Sequence, residues 1–249
     1  MSRAAYVLKR PAARGFSVPS SYRKTLTSVI AVATMLAMPV DNKARAAGGI
    51  NPAFTITANN AAEISAATGT TSFEITAPTS VITYAGTVSG TGAVDFLQSG
   101  NTLRFQNDVD LQTNYTVLNR ILVTNEAGRQ VAINGSVVAK LLNTNGEELS
   151  GNGGRVWFYS PGGLLIGSGS TFDVGGLLLT TGDPSTNSGT QINPDAMFSM
   201  NTTGTTNGVV IQSGATINAL GNRVPTNAMT PDGMFTPAAS YIAVVSPIV

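Results

Sequence analysis

The chain has 249 residues with neither Cys nor His, which removes thiol chemistry, disulfides, Cys-type zinc sites and the commonest general base. Only 11% of residues are charged against 42% apolar, and Gly, Thr, Ser and Asn fill out a composition that suits turn-rich β-structure and excludes disorder. The formal charge of +1 conceals two unlike parts: residues 1–46 hold eight basic groups and one acid (+7), and the remainder holds six basic and twelve acidic groups (−6). A −6 body without a basic cluster excludes nucleic acid as a partner, because phosphate neutralisation supplies most of that affinity.

Residues 1–26 are basic and rich in Ser and Pro, and Thr27–Val40 follows as an uncharged, largely apolar run of 14 residues. A spanning helix needs about 20 residues, so the run fits the hydrophobic region of a secretory signal with an extended basic start. Ala44-Arg45-Ala46 supplies small residues where signal peptidase reads, which predicts cleavage between Ala46 and Ala47. Two parts are therefore expected, a signal peptide over 1–46 and an exported domain over 47–249. That domain reaches Val249 inside the apolar β-run Ser240–Val249, so it is expected to be truncated at its C-terminal end.

Beyond Ala47 there is no sustained 3.6-residue period. Ala61–Ala67 (AAEISAA) is the one helix-like patch. Alternation dominates instead: Phe73 and Ile75, then Val81; Val94 and Phe96; Leu103 and Phe105; Val109, Leu111, Tyr115 and Val117; Ile121 and Val123. These read as short strands with polar outward partners. From Asn143 to Thr181, glycine interrupts every few residues, which excludes helices and suits short strands joined by tight turns.

A pattern Ser-Gly-small-Thr-apolar-polar-apolar starts at Ser99, Ser168 and Ser213. The offsets of 69 and 45 residues are close to three and two steps of about 23, a repeat length that signals a solenoid. The expected fold is all-β: a right-handed parallel β-helix with an N-terminal cap just after Ala47. About nine coils at about 4.8 Å spacing predict a rod about 40 Å long.

Three stretches carry a resemblance. They are Val94–Gln106 (VDFLQSGNTLRFQ), Leu118–Val123 (LNRILV), and Val156–Gly167 (VWFYSPGGLLIG) with Phe172–Thr181 (FDVGGLLLTT). Together they resemble the N-terminal secretion domain of two-partner-secretion exoproteins of the filamentous-haemagglutinin type, over roughly residues 50–249. The resemblance implies a chain that crosses the inner membrane by its signal and stays unfolded in the periplasm. It then engages the periplasmic domains of a dedicated outer-membrane β-barrel transporter and folds outside as a β-helix. Secretion to the medium or cell surface, and adhesion to glycans or receptors through a missing extension, are further implications. Absence of Cys suits passage through a barrel.

The turn Ser160-Pro161-Gly162-Gly163 stands where the family writes Asn-Pro-Asn-Gly, and it is the candidate secretion motif. Pro161 at the second and Gly162 at the third position suit a type II turn, with Gly162 taking the positive φ. Other candidates read as structural. Trp157 shares one strand face with Arg155 and Tyr159, which points to a covered or exposed aromatic, with a ligand platform as the rival. Asp173, between Phe172 and Val174, is expected outward and solvated. Glu147-Glu148 and Asp108/Asp110 are the close acidic pairs, with no basic partner evident, so no catalytic residue, metal or cofactor is assigned and the chain is expected not to be an enzyme. Rival readings are a β-helical polysaccharide-degrading enzyme, an autotransporter passenger or a surface-layer fragment.

Overall fold

The computed structural model describes residues 48–111, 113–126, 128–149, 153–192, 207–220 and 240–247, all within one compact unit, Asn42–Val249. The expected signal peptide and the Ala46–Ala47 junction lie outside the described residues. The strands in chain order are β1 (Phe54–Asn59), β2 (Ala61–Ala67), β3 (Thr70–Ile75), β4 (Thr79–Gly86), β5 (Val94–Leu97), β6 (Thr102–Asn107), β7 (Thr116–Val123), β8 (Val131–Ile133) and β9 (Ser136–Lys140). They continue as β10 (Arg155–Tyr159), β11 (Leu164–Ile166), β12 (Thr171–Val174), β13 (Gly176–Thr180), β14 (Ser185–Thr186), β15 (Gln191–Ile192), β16 (Val209–Ile211), β17 (Thr216–Ala219) and β18 (Ile242–Val245).

Three sheets line one core. Sheet I has the order β17-β12-β9-β6-β3-β2, sheet II β1-β4-β7-β10-β13-β18, and sheet III β16-β11-β8-β5. From β3 onward the chain visits them in fixed rotation, I then II then III, and every neighbouring pair in these sheets from β3 onward is parallel. The first circuit is closed by antiparallel partners on all three sides. Strand β2 pairs β3, β1 pairs β4, and Ile50 bridges Leu97 of β5. Phe54 plugs the interior beneath them, with its ring 5.5 Å from that of Phe96, edge to face. Five passes through sheet I and five through sheet II stand among the described residues.

The alternating residues form the core as expected. Phe73, Ile75, Val94, Phe96, Leu103, Phe105, Val117, Ile121 and Val123 are all buried in it. In sheet I the inward column Leu103, Val137, Phe172, Ile217 runs across four strands. Such in-register stacking buries large side chains at roughly 1.5–3 kcal/mol each.

Three expectations are corrected. Ala61–Ala67 is strand β2, not helix, because seven residues cannot offset helix nucleation, whereas pairing with β3 satisfies the backbone. Val109 and Leu111 lie in a turn after β6, where Asp108 caps the backbone by accepting from the Asp110 N–H. The 23-residue step is wrong. In sheet I, Thr70, Thr102, Ser136, Thr171 and Thr216 stand in one column at steps of 32, 34, 35 and 45 residues. The repeated Ser-Gly-x-Thr does mark this column, at Thr102, Thr171 and Thr216. Its offset of 69 spans two circuits and its offset of 45 spans one, so the described residues make five long passes through this sheet and not nine short ones.

Candidate functional site

The turn Ser160–Gly163 joins β10 to β11 at the corner between sheets II and III. The Gly163 N–H donates to the Ser160 carbonyl at 3.1 Å, closing a four-residue turn with Pro161 second. The left-handed conformation falls on Gly163 (φ 94°) and not on Gly162, which corrects the type II expectation. Glycine at the fourth position after a Pro-led turn is the type I preference.

This turn is packed between its neighbours along the stack. On one side the Gly163 carbonyl accepts from the Val131 N–H at 3.0 Å, and the Gln130 side chain donates to the Leu164 carbonyl at 3.2 Å. On the other side the Leu164 N–H donates to the Gly208 carbonyl at 3.1 Å, and the Ser160 N–H donates to the Thr180 carbonyl at 3.2 Å. A Cβ on Gly162 would run into the backbone of Arg129, 2.6 Å from its carbonyl carbon and 2.8 Å from its nitrogen. One on Gly163 would sit 2.6 Å from the Gly208 carbonyl oxygen. Ser160 is 1% exposed, Gly162 and Gly163 are buried, and Pro161 alone is half-buried. Only the proline ring is presented to solvent.

The layer beneath is held by Arg129, whose side chain is 8% exposed. Its guanidinium donates to the carbonyls of Val88 (2.8 Å), Gly92 (2.6 Å) and Ser89 (3.3 Å), and Glu126 stands 3.7 Å away. Those acceptors belong to the loop after β4, one circuit earlier. Each hydrogen bond to a charged group contributes about 1.5–3 kcal/mol, so the clamp fixes the shelf on which the turn rests.

The outward face of sheet II is also apolar. Val81, Leu118, Trp157 and Leu178 form an in-register column with little exposure, and Tyr159 joins the cluster. Trp157 is therefore covered, and its indole N–H donates to the Tyr241 hydroxyl at 2.5 Å. Burial first, and then Asp183 nearby, raise the Tyr159 phenol above its usual range despite Arg120.

Each residue of Leu118-Asn119-Arg120 has its own contact. Leu118 lies in the outer cluster. Asn119 points inward, fully buried, accepting from the Tyr84 hydroxyl at 3.0 Å and donating to the Trp157 carbonyl at 3.2 Å. Arg120 points outward, 5.8 Å from the Tyr159 ring centroid, and its ion pair with Asp183 closes to 2.6 Å. Asp183 precedes the β14–β15 hairpin, and the Asn59 side chain donates to the Thr190 carbonyl at 2.6 Å. Burial pushes the Asp183 carboxyl up, but hydrogen bonds from Arg120 and from the Ser185 side chain and backbone outweigh it and hold the carboxyl below its usual range. Sequence reasoning assigned no role to Asp183 or Arg129, whose partners are 63 and about 40 residues away.

The acidic pairs are not brought together. Glu148 is bound by Arg104 at 2.6 Å, so a basic partner exists that the sequence did not suggest. Asp173 does point outward, but it is paired, with Lys140 at 3.7 Å and the Asn218 side chain donating to it at 3.0 Å. Among the described residues no three acidic side chains gather as a metal site. The chain matches no family model, no curated protein and no solved structure.

Proposed function

We propose that this chain is the secretion domain of a two-partner-secretion exoprotein, the front part of an adhesin of the filamentous-haemagglutinin type, and that it works without catalysis. In this reading the basic, apolar leader carries the chain to the periplasm. The unfolded domain then engages the periplasmic domains of its outer-membrane barrel and folds outside as a right-handed parallel β-helix. The hand follows the strong preference of parallel crossovers for right-handed connection.

The observation that carries the reading is the coupling of a closed first circuit to parallel circuits that stack on it in chain order. A chain that emerges end-first from a barrel needs such an architecture. Each circuit's strands are templated by the edge of the one before, and later residues add contacts on the outer face, at Asn59 and Arg120. The candidate motif fits this sequence of events. Ser160–Gly163 closes the third circuit against the Arg129 shelf, so the turn serves export by completing a layer that holds outside the membrane.

The test is co-expression of the chain with its cognate barrel, followed by assay of the medium and cell surface. Release that depends on the barrel is expected. Retention in the periplasm with a competent barrel present would refute the assignment.

A further inference from the structure

The hairpin β14–β15 lies against the outer face of sheet II. The chain leaves that sheet at β13 and returns over it as far as β1, with three anchors on the way. Asp183 meets Arg120 of β7, whose guanidinium donates to both carboxylate oxygens, at 2.6 and 3.4 Å. Ile192 packs against the outer apolar cluster, which includes Val81 of β4 and Leu118 of β7. The Thr190 carbonyl accepts from the Asn59 side chain of β1, 131 residues away. The same Arg120 guanidinium donates to Thr83 of β4 at 3.4 Å and stands over the Tyr159 ring of β10. One side chain of β7 thus joins the hairpin to β4 and β10.

Gly189 makes this seat possible. It is buried at φ 87°, and a Cβ there would lie 2.5 Å from the Arg120 Cζ and 2.9 Å from Nη2. Arg120 cannot give way without loosening Asp183 and Thr83. The hydrogen bonds that seat the hairpin run through the side chains of Arg120 and Asn59, whereas backbone ladders join the circuits beneath. A cavity of about 170 Å³ lies between the two, lined by Asn59, Asn60 and Thr79 of the sheet side and by Thr190 and Gln191 of the hairpin. Lifting the hairpin therefore breaks no ladder of sheet II, and a segment held in this way opens at a lower free energy than the ladders do. A two-stranded hairpin is marginal in water by itself, so its amides exchange once it lifts.

We propose that residues 183–192 are a strap that opens and closes as its own unit over the assembled circuits, and that the closed strap pins the antiparallel cap strand β1 through Asn59. This does not rest on the secretion reading, because it is measured on purified protein. Hydrogen exchange of the unmodified chain in low urea needs no variant to fold. Amides of 183–192 should exchange at a rate nearly independent of urea, while ladder amides of β7 and β10 should follow the urea dependence of global unfolding. Gly189→Ala should lower the protection of 183–192 at least about tenfold, the effect of losing one charged hydrogen bond, and that of β1 at least about threefold, the effect of losing one neutral bond. It should leave β7 and β10 unchanged. A urea dependence in 183–192 equal to that of the ladders would overturn the separate opening, as would equal loss of protection in the strap and in β7 and β10. Protection of β1 indifferent to Gly189→Ala would overturn the pinning.

Discussion

The packed turn makes replacement of Gly162 a different experiment from replacement of Pro161. In Gly162→Ala the new methyl meets backbone atoms of Arg129, which no side-chain rotation can relieve. The turn or its shelf must shift, straining the bonds from Val131 to Gly163 and from Leu164 to Gly208. Overpacking costs about 1–3 kcal/mol and each of the two weakened hydrogen bonds about 1 kcal/mol, so a loss of about 3–5 kcal/mol is expected. Gly163→Ala adds a left-handed φ of 94° at about 1–2 kcal/mol to its own clash with Gly208. Pro161 is half-buried, and Pro161→Ala acts mainly by freeing the unfolded chain, about 0.4–1 kcal/mol. Urea denaturation of the three variants should rank them in that way, and on the proposed secretion reading export through the barrel should follow the same rank, with Pro161→Ala released normally. Gly162→Ala within about 0.5 kcal/mol of the parent would refute the packing argument. A folded Pro161→Ala that is not exported would show that the transporter reads the proline itself, and would refute the view that the turn acts through the fold.

Asn119→Ala should cost about 2–4 kcal/mol in the same assay, because it empties a fully buried site and strands the Tyr84 hydroxyl; a loss below about 1 kcal/mol would count against it. The Asp183 carboxyl is depressed in the folded chain, so its stabilisation is complete above the ordinary Asp value of about 3.9 and is lost as pH falls through the lower folded value. Stability titrated below about pH 4 should therefore fall less steeply in Asp183→Asn than in the parent, and equal slopes would contradict a stabilising Arg120–Asp183 pair. Tyr241→Phe removes the acceptor of the Trp157 N–H and should cost about 1 kcal/mol, with the sole Trp reporting the transition by fluorescence.

What was legible in the sequence was the inward face. Phe73 through Phe105 alternate because each points into one core, and alternation survives any loop length. Circuit length was not legible. The step in sheet II from Thr116 to Arg155 is 39 residues and the next, to Gly176, is 21, since the connections vary while the strand columns do not. A repeat carried by a column and not by spacing leaves only the Ser-Gly-x-Thr fragments, and the missing copy at Ser136 made two circuits look like three short ones. The outward column of Val81, Leu118, Trp157 and Leu178 was hidden for another reason. A strand with apolar residues on both faces does not say what lies over its second face.

The site was legible as a turn but not as a layer. Pro161 and two glycines announce a reversal of the chain, and nothing local announces that Arg129 and Gly208 press on it from either side. That contact changes what glycine does here. At Gly162 the absent side chain is required by proximity and not by dihedral angle, so a turn that tolerates alanine in isolation does not tolerate it in the stack. Adjacent circuits spaced by strand pairing have no room to part at one corner without parting along the ladder. A motif placed at such a corner therefore couples local identity to the addition of a whole circuit. The same coupling accounts for Arg129, one layer below, donating to at least three backbone carbonyls, where Arg104 and Arg120 are seen donating to side chains. If the coupling holds, Arg129→Met should weaken the chain as much as Gly162→Ala does, and the double variant should cost less than the two separately, because both act on one interface.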